Sequence, residues 1–178
     1  MGENTLELAQ GKTQGLYSAA LELAGLRFEQ LCSRATPGQW RLHTRDGAWM
    51  GQIAEHVALA NERILERLHT LSWSEGHAPD VSDDEIPYLF YRMDDPPQLA
   101  VPSGSWTTWT EHALRFRASL NAIGQWAFDA GPDLRRRGAA HPAFGWLDGA
   151  QWLLFAGAHV ERHRSQLIGM IGHAPQRV

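Results

Sequence analysis

Apolar residues recur along this chain at the alternating spacings of three and four that mark one face of an α-helix, in four separate stretches. The first runs from Asn4 to about Arg34, with Tyr17, Leu21, Ala24, Phe28 and Leu31 on its inward stripe and Leu16, Ala20 and Leu23 widening it. A turn-rich connection marked by Pro37 and Gly38 follows. The second stretch opens at Asp46, whose carboxylate is placed to cap the free amides of a first turn, and continues to about Leu71 on Ile53, Val57, Ala60, Ile64 and Leu68. Glu62, Arg63, Glu66 and Arg67 mix charge signs on its other face, as a solvated surface does. The third, from about Trp106 to Phe128, carries Trp106, Trp109, Ala113, Phe116, Leu120, Ile123 and Ala127 in a heptad-like series, with Ser105 or Thr107 as its cap. The fourth spans Gln151 to Met170, and Asp148 with Gln151 three residues later forms a capping box at its start.

Between Ser72 and Ser105 the helical period is absent, and the stretch is too long for a tight turn between neighbours. It runs acidic through Asp80, Asp83, Asp84 and Glu85, then apolar and aromatic over 86–93, then rich in proline. Two readings stand: a crossover packed over one side or end of the helices, or a lid or substrate wall over a site. The connection before the fourth helix contains the basic run Arg135 to Arg137, either a solvated loop or an anion contact. The expected fold is all-α, a single four-helix bundle over residues 1–178 with a long connection between helices two and three.

Composition adds bounds. At 178 residues, 43% apolar and 20% charged, the chain is sized for one soluble globular domain. It has no apolar run near the roughly 18 residues of a membrane span and no charged-then-apolar leader, so a cytoplasmic location and no membrane partner are expected. The single cysteine, Cys32, excludes an internal disulfide and any Cys-based zinc motif, and reads as a small, partly buried residue rather than a reactive thiol. A net charge of −4 gives no electrostatic reason to expect nucleic acid. Nine histidines are more than chance supplies, and their placement matters more than their number.

His159 and His163 are four apart, which at about 100° per residue puts both imidazoles on one helix face, one turn apart, where they can share a metal ion. Trp152, Phe155 and Gln166 lie within about 40° of His159 on the same wheel, an apolar inward face with one amide. Glu161 is about 200° round, so this is not a zincin helix, where a Glu directly after the first His serves as base. His56 falls beside the buried stripe of the second helix, with Trp49 two turns earlier on nearly the same bearing. Setting helices two and four side by side would bring His56, His159 and His163 together, with a fourth coordination position open, as catalytic metal sites are built. His43, His69, His77, His112, His141 and His173 read as surface, loop or edge residues. A carboxylate-bridged di-iron site needs two E-x-x-H motifs, and only Glu66 to His69 is present.

The segments DGAWMGQIAEHVALANE, with Trp followed seven later by His, and HPAFGWLDGAQWLLFAGAHVERHRSQL, with an H-P-x-x-G turn leading to H-x-x-x-H-x-x-Q, resemble the two signature regions of the DinB/YfiT-like superfamily. The resemblance extends over essentially the whole chain, apart from 72–105. It implies a four-helix bundle holding a divalent metal, usually zinc or nickel, on three histidines that map onto His56, His159 and His163. That superfamily includes S-transferases using low-molecular-weight thiols such as bacillithiol or mycothiol, a maleylpyruvate isomerase, and members described as metal-dependent hydrolases; homodimers are common. The leading expectation is a metal-dependent transferase in which a cofactor thiol binds the open position and attacks a small electrophilic substrate as thiolate. Gln166 would orient the bound group or a ligand histidine, or else merely satisfy a core hydrogen bond; Trp49, Trp152 and Phe155 would form apolar walls, and Arg162 with the arginine run would meet carboxylates of the thiol cofactor. Two alternatives remain: water activated by the same metal for hydrolysis, and a non-catalytic metal-binding or stress-response protein. No nucleophilic Ser or Cys motif, phosphate loop or second carboxylate decides among them.

Overall fold

Helices form where the apolar period is longest: α1 (Glu3–Arg34), α2 (Met50–His69), the single turn α3 (Ile86–Leu89), α4 (Ala113–Ala130) and α5 (Gly149–Gly172). In this computed structural model the described residues are 3–74, 76–89, 100–110 and 112–172, with side chains described from residue 15 on, that of Pro132 excepted. The four long helices pack in a closed circuit, α1 on α5, α5 on α2, α2 on α4 and α4 on α1. Two apolar clusters fill the space between them. One gathers Leu21, Ile64, Leu68, Ile123, Leu147 and Leu153; the other gathers Phe28, Met50, Ile53, Trp106, Phe116 and Leu167. Phe28 holds the second cluster together, its ring 5.1 Å from that of Phe116 and 6.2 Å from that of Trp109. The widened stripe on α1 is not used: Leu16 and Leu23 are 67% and 47% exposed. Cys32 is wholly buried, and burial pushes its thiol up, which makes it inert. No helix among the described residues is long and apolar enough to cross a membrane.

The chain is mostly helical but not all-α. A three-stranded antiparallel sheet runs in the order β1 (Ser72–Trp73), β2 (Arg137–His141), β3 (Gly145–Asp148). The expected connection before the last helix is therefore a hairpin, with His141 paired to Gly145 and Gly138 to Asp148. Its turn is local chemistry: three residues follow His141, and Gly145 supplies the left-handed backbone at φ 73 that closes such loops. A Cβ at Gly138 would lie 2.6 Å from the Trp146 indole nitrogen and 2.7 Å from the Leu147 carbonyl, so only glycine fits there. Strands of two to five residues are too short to print a period of two.

Helix starts differ as well. Asp46 does not cap α2: it is exposed in a turn where Thr44 and Ala48 are bonded and His43 bridges Trp49, and the helix begins at Met50. The Gln52 side chain takes up the Trp49 N–H at 3.2 Å instead. The third long helix starts at Ala113, not near Trp106, and neither Ser105 nor Thr107 caps it. Trp106 and Trp109 are buried, which is why they fit the apolar series, but they belong to a strap, residues 100–109, laid across α2. Trp106 stacks on His112 with centroids 4.1 Å apart and planes 6° from parallel. At the start of α5 the expected box is present: Asp148 Oδ1 accepts the Gln151 N–H at 2.8 Å, and Gln151 Oε1 accepts the Asp148 N–H at 3.3 Å. Within the long connection Ile86 and Leu89 are buried against α5, while 90–99, which hold most of its aromatic and proline-rich runs, lie outside the described residues, as does His173.

Gly51 is where the strap meets α2. A Cβ added there would overlap the Trp106 carbonyl oxygen, a backbone atom that cannot swing aside. Glycine to alanine inside a helix ordinarily stabilises by roughly 0.5–1 kcal/mol. Here Gly51→Ala is expected to destabilise instead, by about 1–3 kcal/mol in urea or thermal unfolding, the usual cost of overpacking. An unchanged or raised midpoint would show that the strap does not press on α2.

Candidate metal centre

Because α2 lies against α5, His56 meets the pair one turn apart on α5. Nε2 of His159 is 3.2 Å from Nε2 of His56 and 3.2 Å from Nε2 of His163. One ligand atom from each of the three lies within 4.8 Å of the others. Nitrogens about 2.1 Å from a tetrahedral ion stand roughly 3.4 Å apart, so the spacing fits a single ion.

Hydrogen bonding on the far side of two rings fixes what they present. His56 Nδ1 is 2.8 Å from the Ala100 carbonyl oxygen, which can only accept, so Nδ1 carries the proton and Nε2 a lone pair. His163 Nδ1 is 2.9 Å from Gln166 Oε1, with the same result. His159 Nε2 lies between these two lone pairs and, if protonated, can donate to only one of them. At least one lone pair is left pointing at the shared centre in a buried place, an arrangement a cation would satisfy.

Electrostatics agree. Burial drives His159 well below the ordinary imidazole value, helped by His163, His56 and Arg162. It pushes His163 down to about 4, with His56 assisting and the Gln166 bond opposing. It also lowers His56, against the Ala100 bond and with Arg162. The three rings are therefore neutral at pH 7, as ligands must be.

The other expected residues sit at varied distances. Gln166 touches the centre through His163. Phe155 stacks on His159 at 6.2 Å and belongs to an aromatic group with Trp152, Phe144 and His141, at 5.8, 5.9 and 4.8 Å. Arg162 is half-buried and close enough for its charge to lower all three histidines. Trp49 stands before α2 in extended backbone and faces His43, 6.4 Å away, so the helical bearing that aligned it with His56 does not apply. The arginine run is taken up elsewhere: Arg135 pairs with Asp148 at 2.9 Å and with Asp83, Arg136 with Asp133 at 3.3 Å, and Arg137 lies over the Trp73 ring at 4.7 Å.

Two residues escaped the sequence reading. His141 is no edge residue: it is 4% exposed, stacks on Phe144 at 4.3 Å, and is lowered to about 4 by burial and then Arg67. Its burial alongside Ala139 on β2 is a signal only once the hairpin is known. Glu55 is 3% exposed, and its carboxylate accepts from the backbone of Ser103 and Gly104 and from the Ser103 hydroxyl. Burial pushes that carboxyl up, but the bonds from Ser103, Gly104 and Ser105 outweigh it and leave it below its ordinary value.

These shifts set a pH window for the metal-free protein. Free imidazoles titrate near 6.5, whereas His141 and His163 take their protons only near 4, so the unfolded chain binds more protons in between. Stability contributed by the neutral rings is complete above about 6.5 and falls as pH drops toward 4. Urea midpoints of metal-free protein should decline from about pH 6.5 to about 5.5, a range in which ordinary carboxylates stay largely ionised, and His163→Ala should flatten the decline. A midpoint constant across that range would contradict the burial of neutral rings.

A sequence-family model described as the DinB superfamily matches residues 20–167, which takes in α2, the hairpin, most of α5 and all three converging histidines. No curated protein and no solved structure matches the chain. By this match over most of its length, the chain belongs to the DinB superfamily.

Proposed function

We propose that the chain is a single DinB-like domain, a four-helix bundle edged by the small sheet, in which His56, His159 and His163 hold one divalent ion, zinc or nickel, and that it works as a thiol-dependent S-transferase. The observation that carries the metal site is the convergence of three neutral imidazoles on one point with the outward nitrogens of His56 and His163 already committed as donors. When bound, an ion on three neutral nitrogens keeps its double positive charge and lowers the pKa of a coordinated thiol or water by several units. Ala100 and Gln166 hold ligand rings in place, Phe155 walls one side with apolar surface, and Arg162 adds positive charge that favours an anionic ligand.

Among the described residues, the carboxylates nearest in sequence to the three histidines favour transfer over hydrolysis. Hydrolysis gains from a base or acid free to move a proton to or from water and the leaving group. Glu55 is locked to the strap, and Glu161 is paired with Arg164 at 2.9 Å. A thiol made acidic by an ion needs no such base.

Protein purified without a His-tag and loaded with cobalt is expected to bind one ion per chain. Adding bacillithiol or mycothiol should produce a new sulfur-to-cobalt absorption band. A loaded site whose spectrum ignores both thiols would remove the transferase reading. His159→Ala should lose the ion yet keep the helical circular dichroism of wild type; collapse of the fold, in this variant and in metal-stripped wild type alike, would assign the ion a structural role.

A further inference from the structure

The strap is fastened to α2 by two consecutive residues. Glu55 Oε1 accepts the Ser103 N–H at 2.9 Å and the Ser103 hydroxyl at 2.6 Å, and Oε2 accepts the Gly104 N–H at 2.9 Å. Both carboxylate oxygens are thus engaged on adjoining peptide groups, through charge-assisted hydrogen bonds that are stronger than neutral ones. Gly104, at φ 77, makes the turn that aims both amides at one carboxylate, and the Ser105 N–H closes onto Ser103 Oγ at 3.2 Å. Three residues upstream of Ser103 is Ala100, 6% exposed, whose carbonyl accepts from His56 Nδ1. Pro102 lies between, with its own φ fixed and Val101 restricted by it, so displacement at one end of this short piece is carried to the other.

We infer that Glu55 is a positioning residue for the histidine centre: by clamping Ser103 and Gly104 it fixes the Ala100 carbonyl, and through it the ring orientation and tautomer of His56. The inference rests on the reading of His56 as a metal ligand for its importance, but the clamp acts on the ring whether or not an ion is present. Without the clamp, the carbonyl shifts, the His56 proton is free to sit on either nitrogen, and a fraction of the molecules present an N–H to the shared centre where a lone pair is needed. Loss of an orienting partner of this kind typically weakens metal binding about 10–100-fold.

The test uses the full-length protein and the variants Glu55→Ala, Glu55→Gln and Ser103→Ala. The first readout is the His56 tautomer in metal-free protein near neutral pH, from imidazole nitrogen NMR. Wild type should show the Nδ1–H form alone, and Glu55→Ala a mixture. The second is zinc affinity by chelator competition, expected to fall about 10–100-fold in Glu55→Ala. Glu55→Gln should rescue part of the loss, because its carbonyl oxygen still accepts from Ser103 while its amide cannot accept from Gly104. A folded Glu55→Ala with the wild-type tautomer and wild-type zinc affinity overturns the inference and leaves Glu55 a plain anchor, even if its melting temperature falls. Should Glu55→Ala not fold, Glu55→Gln and Ser103→Ala decide: the wild-type tautomer and zinc affinity in both overturns it. Wild type that binds no zinc removes the metal reading alone, and the tautomer comparison then decides the inference by itself.

Discussion

Three imidazole nitrogens drawn to one buried point are the constraint on which the rest of this structure turns. Left to themselves, such groups repel: two present lone pairs, and the third can satisfy only one of them with a proton. Protonation would relieve the lone pairs, but burial opposes charge there, and all three rings are held neutral. A polar arrangement of this kind costs free energy in an empty protein and becomes favourable when a cation shares the point. The helices must therefore be rigid enough to hold it without the ion. Two apolar clusters, one above all organised by Phe28, Trp109 and Phe116, provide that rigidity.

The surrounding elements can be understood as means of keeping α2 and α5 in register. The capping box of Asp148 and Gln151 fixes where α5 starts, and Arg135, paired to Asp148 and Asp83, ties that start to the long connection. Gln151 reaches the same connection through the Val81 carbonyl at 2.7 Å. On the other side, the strap lies so close over Gly51 that no side chain fits between them, and it is hydrogen-bonded both to Glu55 and to His56, the ring that faces the centre. Packing sets the distance between helices; the strap sets the angle of one ring.

Much of this was legible in the sequence where the determinants are local. The spacing of His159 and His163, the Asp148 and Gln151 box and the apolar stripe of α2 beside His56 are all written within one or two helical turns, and together they place the three histidines. The hairpin was not legible, because its strands are too short to show alternation and its turn looks like any Pro- and Gly-containing loop. Trp106 and Trp109 read as helical because burial at spacings of three prints the same pattern whether the backbone is helix or strap. Glu55 gave no sign at all: its partners lie 48 and 49 residues further on, and a glutamate beside a helix stripe looks solvated until the strap is seen.

The central claim is that these three nitrogens share one divalent ion and leave a position open, and X-ray absorption at the metal edge of zinc-loaded protein tests it most directly. The expected spectrum shows three imidazole nitrogens at roughly 2.0–2.1 Å, with the multiple-scattering signature of histidine, and one further light atom that a small thiol replaces with sulfur near 2.3 Å. A first shell with fewer than three imidazoles, or one that stays closed and unchanged when the thiol is added, would contradict it.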